Sequence, residues 1–563
     1  MNVASLVLER ARSDPDATAI HHRYPVRGSR EVGRGGFARA SNAELDRESD
    51  WIARGLESVG IDRGVRTALM VRPSLELFSL MLALFKVGAV PVLIDPGIGL
   101  RRLRRCLDEA EPEAFIGIPT AQAARLALGW ARRTLRITVT VGRRWLWGGP
   151  TLDDLRDLGR SDAPYPTASA NDDDVAAILF TSGSTGPPKG VVYCHGHFAA
   201  QIEAIRGLGQ IEPGEIDLPT FPPFALFDPA LGMTAVIPEM DPTRPGSVDP
   251  RRIIEPAETF GATNLFGSPA LIDTVGRYGV EHGVRLTTLR RVVSAGAPVS
   301  ASIMSRFLEM LPEGAEILTP YGATECLPVS CISSREVLSE TAAQTDRGAG
   351  VCVGSPVPSI DTRIIAIDDG PIAAWEPTLE LPHGEIGEIV VRGPQATTAY
   401  HNRPDATALA KIRDSDGGTW HRMGDVGYFD ERGRLWYCGR KTDRVTTPDA
   451  TLHSTPCEAV FETHSKVRRA ALVGVGAVPD QEPVLCVELQ PDVPRRSRNA
   501  IERELLEIAA RHAHTREIRR ILFRRHFPVD IRHNAKIGRP ELARWATRKL
   551  KGRRSAIRAK GNA

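Results

Sequence analysis

The chain is short of the features that would set it apart from ordinary globular proteins. Its eight cysteines are scattered, and no two form a C-x-x-C pair. Zinc sites and redox dithiols are therefore not indicated, and reduced thiols in a cytoplasmic protein fit best. No apolar run is long enough to cross a membrane. The most apolar segment, 77–94, is interrupted by Lys86, Gly88 and Pro91, and reads as a buried helix, a turn and a strand. The first twelve residues carry an early acid and no signal-peptide core. Internal repeats and low-complexity tracts are missing. The net charge of +3 is too small to argue for a nucleic-acid partner. What is present is an ordinary soluble composition, 42% hydrophobic and 25% charged. A length of 563 residues calls for two or three domains rather than one core. The charge is unevenly placed: residues 495–563 hold 21 Lys and Arg against 6 Asp and Glu. That is a solvated basic region complementing an acidic body, or a phosphate- or partner-facing surface.

The most informative stretch is 175–192, V-A-A-I-L-F-T-S-G-S-T-G-P-P-K-G-V-V. Its apolar first third predicts a buried strand. Residues 181–190 then supply hydroxyls (Thr181, Ser182, Ser184, Thr185), glycines (Gly183, Gly186, Gly190) and Lys189. Past Val191, Phe198, Ile202 and Ile205 fall at helical spacing and predict a helix. A strand that delivers such a loop is a device for holding phosphate. Glycines let backbone N–H groups approach, hydroxyls add donors, and the lysine is a mobile cation. The Walker pattern does not fit, because Pro188 precedes Lys189 and Gly190 follows it.

Upstream, 4–12 and 41–59 have helical spacing, the second with Ser41 or Asn42 as cap, while 21–40 is basic and Gly-rich like an exposed hairpin or loop. Candidate strands 68–71 and 89–94 flank a helix over 77–87, and helices at 101–108 and 123–130 with a strand at 137–141 extend the pattern. Such β-α-β order favours a parallel sheet covered by helices. The stretch 218–245 gathers Phe221, Phe224, Phe227, Leu231 and Met233 among prolines. It is either a core crossing or the wall of an apolar pocket. Residues 264–270 and 291–297 each end an apolar run in Gly and Ser, as strand ends at a ligand crevice do.

The string T-S-G-S-T-G-P-P-K-G closely resembles the signature loop of the adenylate-forming enzymes: acyl-CoA synthetases, luciferases and peptide-synthetase adenylation domains. Further segments match the same superfamily in the same order. Ser294–Pro298, with Gly296, Ala297 and Pro298, resembles the segment beside adenine and the acyl group. The motif Y-G-A-T-E, Tyr321, Gly322, Ala323, Thr324 and Glu325, resembles the one whose aromatic ring stacks on adenine. Its threonine meets the α-phosphate and its glutamate helps hold Mg²⁺, a fit for a hard, oxygen-seeking cation. Asp425 matches the ribose-binding aspartate and Arg440 the arginine near ribose and phosphate, while Lys536 in R-H-N-A-K-I-G-R matches the catalytic lysine. The family has glycine before that lysine, where this chain has Ala535.

The resemblance covers nearly the whole chain. It implies an α/β protein with a large N-terminal domain of mixed and parallel sheets flanked by helices, to about 439. A small α+β lid, 440–563, carries Lys536 and rotates between half-reactions. ATP and Mg²⁺ are the implied cofactors. Thr185, Lys189, Thr324, Glu325 and Lys536 would position and neutralise the phosphates. Phe224, Phe227, Asp228, Met233, Phe266, Gly267 and Gly296 would line the acyl pocket.

Two departures narrow the reaction. The hinge position is Thr442, where the superfamily commonly has Asp or Lys, and 444–452 contains Pro448 but no glycine where thioester-forming members keep a Lys-x-x-Gly-like stretch. Only 27 residues follow Lys536, too few for a carrier domain. The wording of 224–245, 264–270, 321–330 and 348–357 resembles the olefin β-lactone synthetases of bacterial long-chain olefin biosynthesis. That resemblance implies a 2-alkyl-3-hydroxyalkanoic acid as substrate. Its carboxylate is adenylated, and its own hydroxyl then closes a β-lactone with release of AMP and pyrophosphate. It also implies a multienzyme complex with thiolase-like, reductase and β-lactone-decarboxylating enzymes. His195 and His197 are candidates for a base, against a structural role as helix histidines. The rivals are a long-chain acyl-CoA synthetase or fatty acyl-AMP ligase, a peptide-synthetase-type adenylation enzyme using Asp228, and a non-catalytic nucleotide-binding scaffold.

Overall fold

The computed structural model describes residues 1–23, 36–181, 186–529 and 536–561, without the side chains of 222 and 552–561. Ser182, Gly183, Ser184, Thr185 and Ala535, and most of the basic Gly-rich segment expected at 21–40, lie outside the described residues.

One sheet is built as the β-α-β order predicts. Its strands run Ile137–Thr140, Ala114–Gly117, Arg66–Met70, Val90–Leu93, Val175–Phe180, Gly190–Cys194, all parallel except the last pair. The helix Leu75–Val87 between two of these strands is apolar on nearly every face and buried accordingly. Gly88, at φ 73°, ends it in a left-handed cap. Its Lys86 is fully buried because Asp46 and Asp50 each stand 2.5 Å from the ammonium. Ser41 is the cap of Asn42–Ser58, in a capping box with Glu44, a device worth about 1 kcal/mol.

The second sheet has fourteen strands and changes character part-way. From Thr18–His22 through Thr234–Ile237, Ile216–Pro219, Asn264–Phe266 and Arg291–Val293 to Glu316–Ala323 it is parallel. Beyond Glu316–Ala323, through Cys326–Ser333 to Leu435–Arg440 and Thr419–Phe429, neighbours run antiparallel. The strand at the change of direction is therefore the one that carries Tyr321.

A third sheet of three strands, Val467–Val475, Glu482–Leu489 and Arg520–Phe523, has its own core. Phe461, Leu472, Leu485, Ile501 and Leu505 fill it, each burial contributing about 1.5–3 kcal/mol.

One local expectation is corrected. The phosphate-type loop does not run from strand into helix. It joins the antiparallel strands Val175–Phe180 and Gly190–Cys194, and the helix His195–Gly209 begins only afterwards. The β-branched pair Val191–Val192 and Tyr193 alternate buried and half-buried, the period of a strand, and pair before any helical spacing starts.

Candidate active site

The hairpin closes at its base. The Thr181 N–H donates to the Lys189 carbonyl (3.0 Å), and the Lys189 N–H to Thr181 Oγ1 (3.1 Å). At Gly186 a side chain would meet no atom within 4 Å, so this end of the loop faces open space. A later segment lies along the outgoing strand, with the Val192 N–H on the Ala399 carbonyl (3.1 Å) and the His401 N–H on the Gly190 carbonyl (2.7 Å). That pairing puts the Tyr400 ring beneath the Lys189 ammonium, 4.6 Å from it.

Tyr321 sits where the large sheet changes from parallel to antiparallel, a place where α/β sheets open ligand crevices. Its hydroxyl donates to Asp425 Oδ2 (2.7 Å). Strand register puts Arg440 directly across from Asp425, its Nη1 3.0 Å from Oδ1. The angle of that ion pair falls short of a hydrogen bond, so Oδ1 is a buried acceptor with capacity left. Burial raises the Asp425 carboxyl above its usual range, and Arg440 and Tyr321 pull it back.

Glu325 is held from two sides. Its carbonyl accepts from the Thr397 N–H (2.9 Å) and Thr397 Oγ1 (3.0 Å), and its Oε1 accepts from the Tyr400 hydroxyl (2.5 Å). Lys411, fully buried behind them, donates to Thr397 O, and burial lowers its ammonium to about 8. The backbone at Thr324 is tied down by the Tyr193 hydroxyl, which donates to its carbonyl. Gly322 is a necessity of close approach: a Cβ there would stand 2.8 Å from the Cys326 carbonyl oxygen.

Tyr321, Glu325, Tyr400, Lys189 and Arg440 face one cavity of about 1690 Å³. Thr181, Gly186, Lys189, Gly296, Tyr321, Gly322, Ala323, Thr324, Glu325, Arg440 and Lys536 line one part; Phe224, Phe227, Asp228, Met233 and Phe266 line another. A drug-sized ligand needs about 300–1,000 Å³, so there is room for a nucleotide and a long chain together. Three residues after Lys536, Arg539 opens the helix Arg539–Gly561 and anchors this stretch: it reaches Asp443 Oδ2 with Nε (3.1 Å) and grips Glu458 with both terminal nitrogens.

The sequence model of the AMP-binding enzyme family matches residues 7–401. The chain belongs to that family. Across 98% of its length, this AMP-binding enzyme is 54% identical to an olefin beta-lactone synthetase of Stenotrophomonas maltophilia (strain K279a), covering 99% of that protein. A protein of the same name from Xanthomonas campestris pv. campestris is also 54% identical, over 97% of both chains. Among solved structures, the amide bond synthetase McbA from Marinactinospora thermotolerans superposes with a TM-score of 0.76 at 24% identity, over 96% of this chain and 99% of that one. The anthranilate CoA ligase AuaEII, solved with anthranoyl-AMP, gives 0.75 at 18%, over 98% of both chains. The fold is that of the adenylate-forming enzymes, and the protein is an AMP-forming ligase.

Not every residue singled out from the sequence faces the cavity of this AMP-binding enzyme. Gly296 does, at φ +94°, but Ala297 and Pro298 turn away from it. Gly267 is a packing residue, where a Cβ would come within 3.0 Å of Leu271. Asp425 is buried behind Tyr321 and Arg440 rather than on the cavity wall. His195 and His197 are structural: their Nδ1 atoms accept from the Val3 N–H (3.1 Å) and the Cys194 N–H (2.9 Å). Burial brings both rings down to about 4, which keeps them neutral. Asp228 has a partner the sequence did not announce. Asp217, on Ile216–Pro219, lies beside it on the cavity wall, and burial raises both carboxyls, Asp217 to about 7. Tyr400, Lys411 and Thr397 were missed too, since nothing in the wording of 397–411 marks chemistry.

Proposed function

We propose that this enzyme adenylates the carboxylate of a long-chain 2-alkyl-3-hydroxy acid and lets the substrate's own hydroxyl displace AMP, giving a β-lactone. The observation that carries the reading is the single cavity that joins the phosphate hairpin and Lys536 to the Phe224–Phe227 wall. The two relatives named olefin beta-lactone synthetase support the choice of product.

The residues present fit the nucleotide. On the cavity wall Tyr321 would offer a flat ring and Gly322 keeps the backbone close, while Asp425, buried behind Tyr321 and Arg440, has an acceptor with spare capacity that a vicinal diol would reach once either side chain turns aside. They fit Mg²⁺ also. Among the described residues no cluster of three ligating side chains exists. That suits a cation carried on phosphates and held by one carboxylate, Glu325. When bound, the metal would neutralise phosphate charge.

In the first step a carboxylate oxygen of the acid attacks the α-phosphorus and pyrophosphate leaves. Lys536 would bridge the two reacting oxygens, and Lys189 and Thr324, on the same cavity wall, would hold phosphate oxygens. In the second step the 3-hydroxyl oxygen attacks the activated carbonyl carbon, AMP leaves, and the hydroxyl proton is released. The nucleophile is tethered, so closure gains from high effective molarity. Residues 440–563 act as the lid. Residues 444–452, with Pro448 and no glycine, fold as a short antiparallel pair of Val445–Thr446 with Thr451–Leu452. Cytoplasmic work beside thiolase-like, reductase and lactone-decarboxylating enzymes fits such a substrate, and no helix among the described residues is long and apolar enough to cross a membrane.

The test is mass spectrometry of the product formed from ATP, Mg²⁺ and a 2-alkyl-3-hydroxy fatty acid, with and without coenzyme A. Lactone, AMP and pyrophosphate without coenzyme A are expected. Acyl-CoA as the sole product, with none when the thiol is omitted, would overturn the ring-closing step.

A further inference from the structure

We propose that Tyr400 is a positioning residue: it keeps the Glu325 carboxylate turned toward the nucleotide's metal and away from two neighbouring ammonium groups. The inference rests on the reading of Glu325 as the metal-binding carboxylate.

Three contacts meet at this tyrosine. Its hydroxyl donates to Glu325 Oε1 (2.5 Å), its ring carries the Lys189 ammonium at 4.6 Å, and its backbone bridges to Val191 on the strand leaving the phosphate loop. It is 6% exposed, and the exposed remnant faces the cavity. The second ammonium, Lys411, is fixed one residue deeper. It donates to Thr397 O, and Thr397 in turn holds the Glu325 carbonyl (2.9 and 3.0 Å). The charge on Lys411 is supported by Glu325, so the two groups sense one another. Yet among the described residues Glu325 forms no ion pair with either lysine; its one side-chain hydrogen bond is to Tyr400.

A half-buried carboxylate close to an ammonium group is drawn to pair with it, and such a pair competes directly with a cation. The tyrosine hydroxyl removes that option. It occupies Oε1 and fixes the side-chain rotamer, and Oε2 makes no hydrogen bond among the described residues. The ring does the same for Lys189, giving it a face to rest on that is not the carboxylate. One side chain thus keeps an acid and a base apart until a phosphate and its metal arrive to use both.

Tyr400→Phe isolates the hydroxyl, since the ring and backbone bridge remain. The measurement is ATP binding by calorimetry across a Mg²⁺ series, together with Mg²⁺ dependence of pyrophosphate exchange. The Mg²⁺ needed for half-saturation should rise about tenfold in Tyr400→Phe, the effect of roughly one charge-assisted hydrogen bond. ATP binding in the absence of Mg²⁺ and the melting temperature should stay close to wild type. Adding Lys411→Met to Tyr400→Phe should bring the Mg²⁺ requirement back down, because a competing cation is gone. A Tyr400→Phe curve superimposed on wild type overturns the proposal, as does a shift that Lys411→Met leaves unrescued in a folded double variant. Wild-type ATP binding that ignores Mg²⁺ would overturn the reading of Glu325 itself, a separate failure.

Discussion

The two ends of the cavity are built by different means. At the end proposed for the nucleotide the key groups are placed by strand pairing. Asp425 faces Arg440 because their strands are in register, and Tyr321 reaches Asp425 from a third strand of the same sheet. At the acyl end the walls come from packing. Val3, Phe85, Phe198 and Phe227 meet there from four distant places in the chain. Register is discrete, so the nucleotide end tolerates little change; packing is graded, so the acyl end can be reshaped.

The sharpest way to break that contrast is Lys536→Ala. Pyrophosphate exchange should fall about 10²–10³-fold, the cost of losing one transition-state donor, while ATP still binds. Retained exchange would show that the lid lysine takes no part in the first step. Next in size is Asp425→Asn, which should raise KM for ATP about tenfold, equally for every acid tested, as removal of uniform binding does. Dependence of the effect on chain length would mean the two ends are not separate. A milder change, Phe227→Trp at the graded end, should cut turnover of the longest acids several-fold and leave KM for ATP alone. Chain-length profiling decides it. The smallest effect concerns stability. Asp217 and Asp228 are held protonated by burial, Asp217 up to about 7 from 3.8. Between those two pH values the unfolded chain has released protons that the folded one keeps, so this pair makes stability fall as pH rises. Asp228→Asn removes one of the two buried acids, and the loss between pH 5 and 8 should shrink by about 1 kcal/mol. Denaturant midpoints at the two pH values check it.

What could be read from the sequence follows the same division. Tyr321, Glu325, Asp425 and Arg440 were picked out by their resemblance to the motifs of the adenylate-forming enzymes, and the structure brings them together around one strand end. The β-α-β order of the first sheet and the Ser41 cap were legible as local patterns. The helix past Val191 was legible from the spacing of Phe198, Ile202 and Ile205, whereas the return strand Gly190–Cys194 before it is too short to stand out. Asp217 could not be linked to Asp228 from spacing, since a β-strand and a later helix bring them together. Tyr400 was silent because its chemistry depends on two partners, one 75 and one 211 positions away. The apolar cluster at Phe224–Phe227 pointed to a pocket wall, but not to Val3 or Phe198 as its neighbours.

The antiparallel hairpin has a consequence for how the triphosphate is held. The helix that follows begins past the loop, and its opening N–H groups are already spent: His195 N–H on the Asp174 carbonyl (3.1 Å) and Gly196 N–H on the Asp172 carbonyl (2.9 Å). No macrodipole is therefore aimed at the anion from this helix. In the proposed reaction that charge would be met by side-chain cations instead of a helix terminus: Lys189 resting on the Tyr400 ring, Arg440 opposite Asp425, and Lys536.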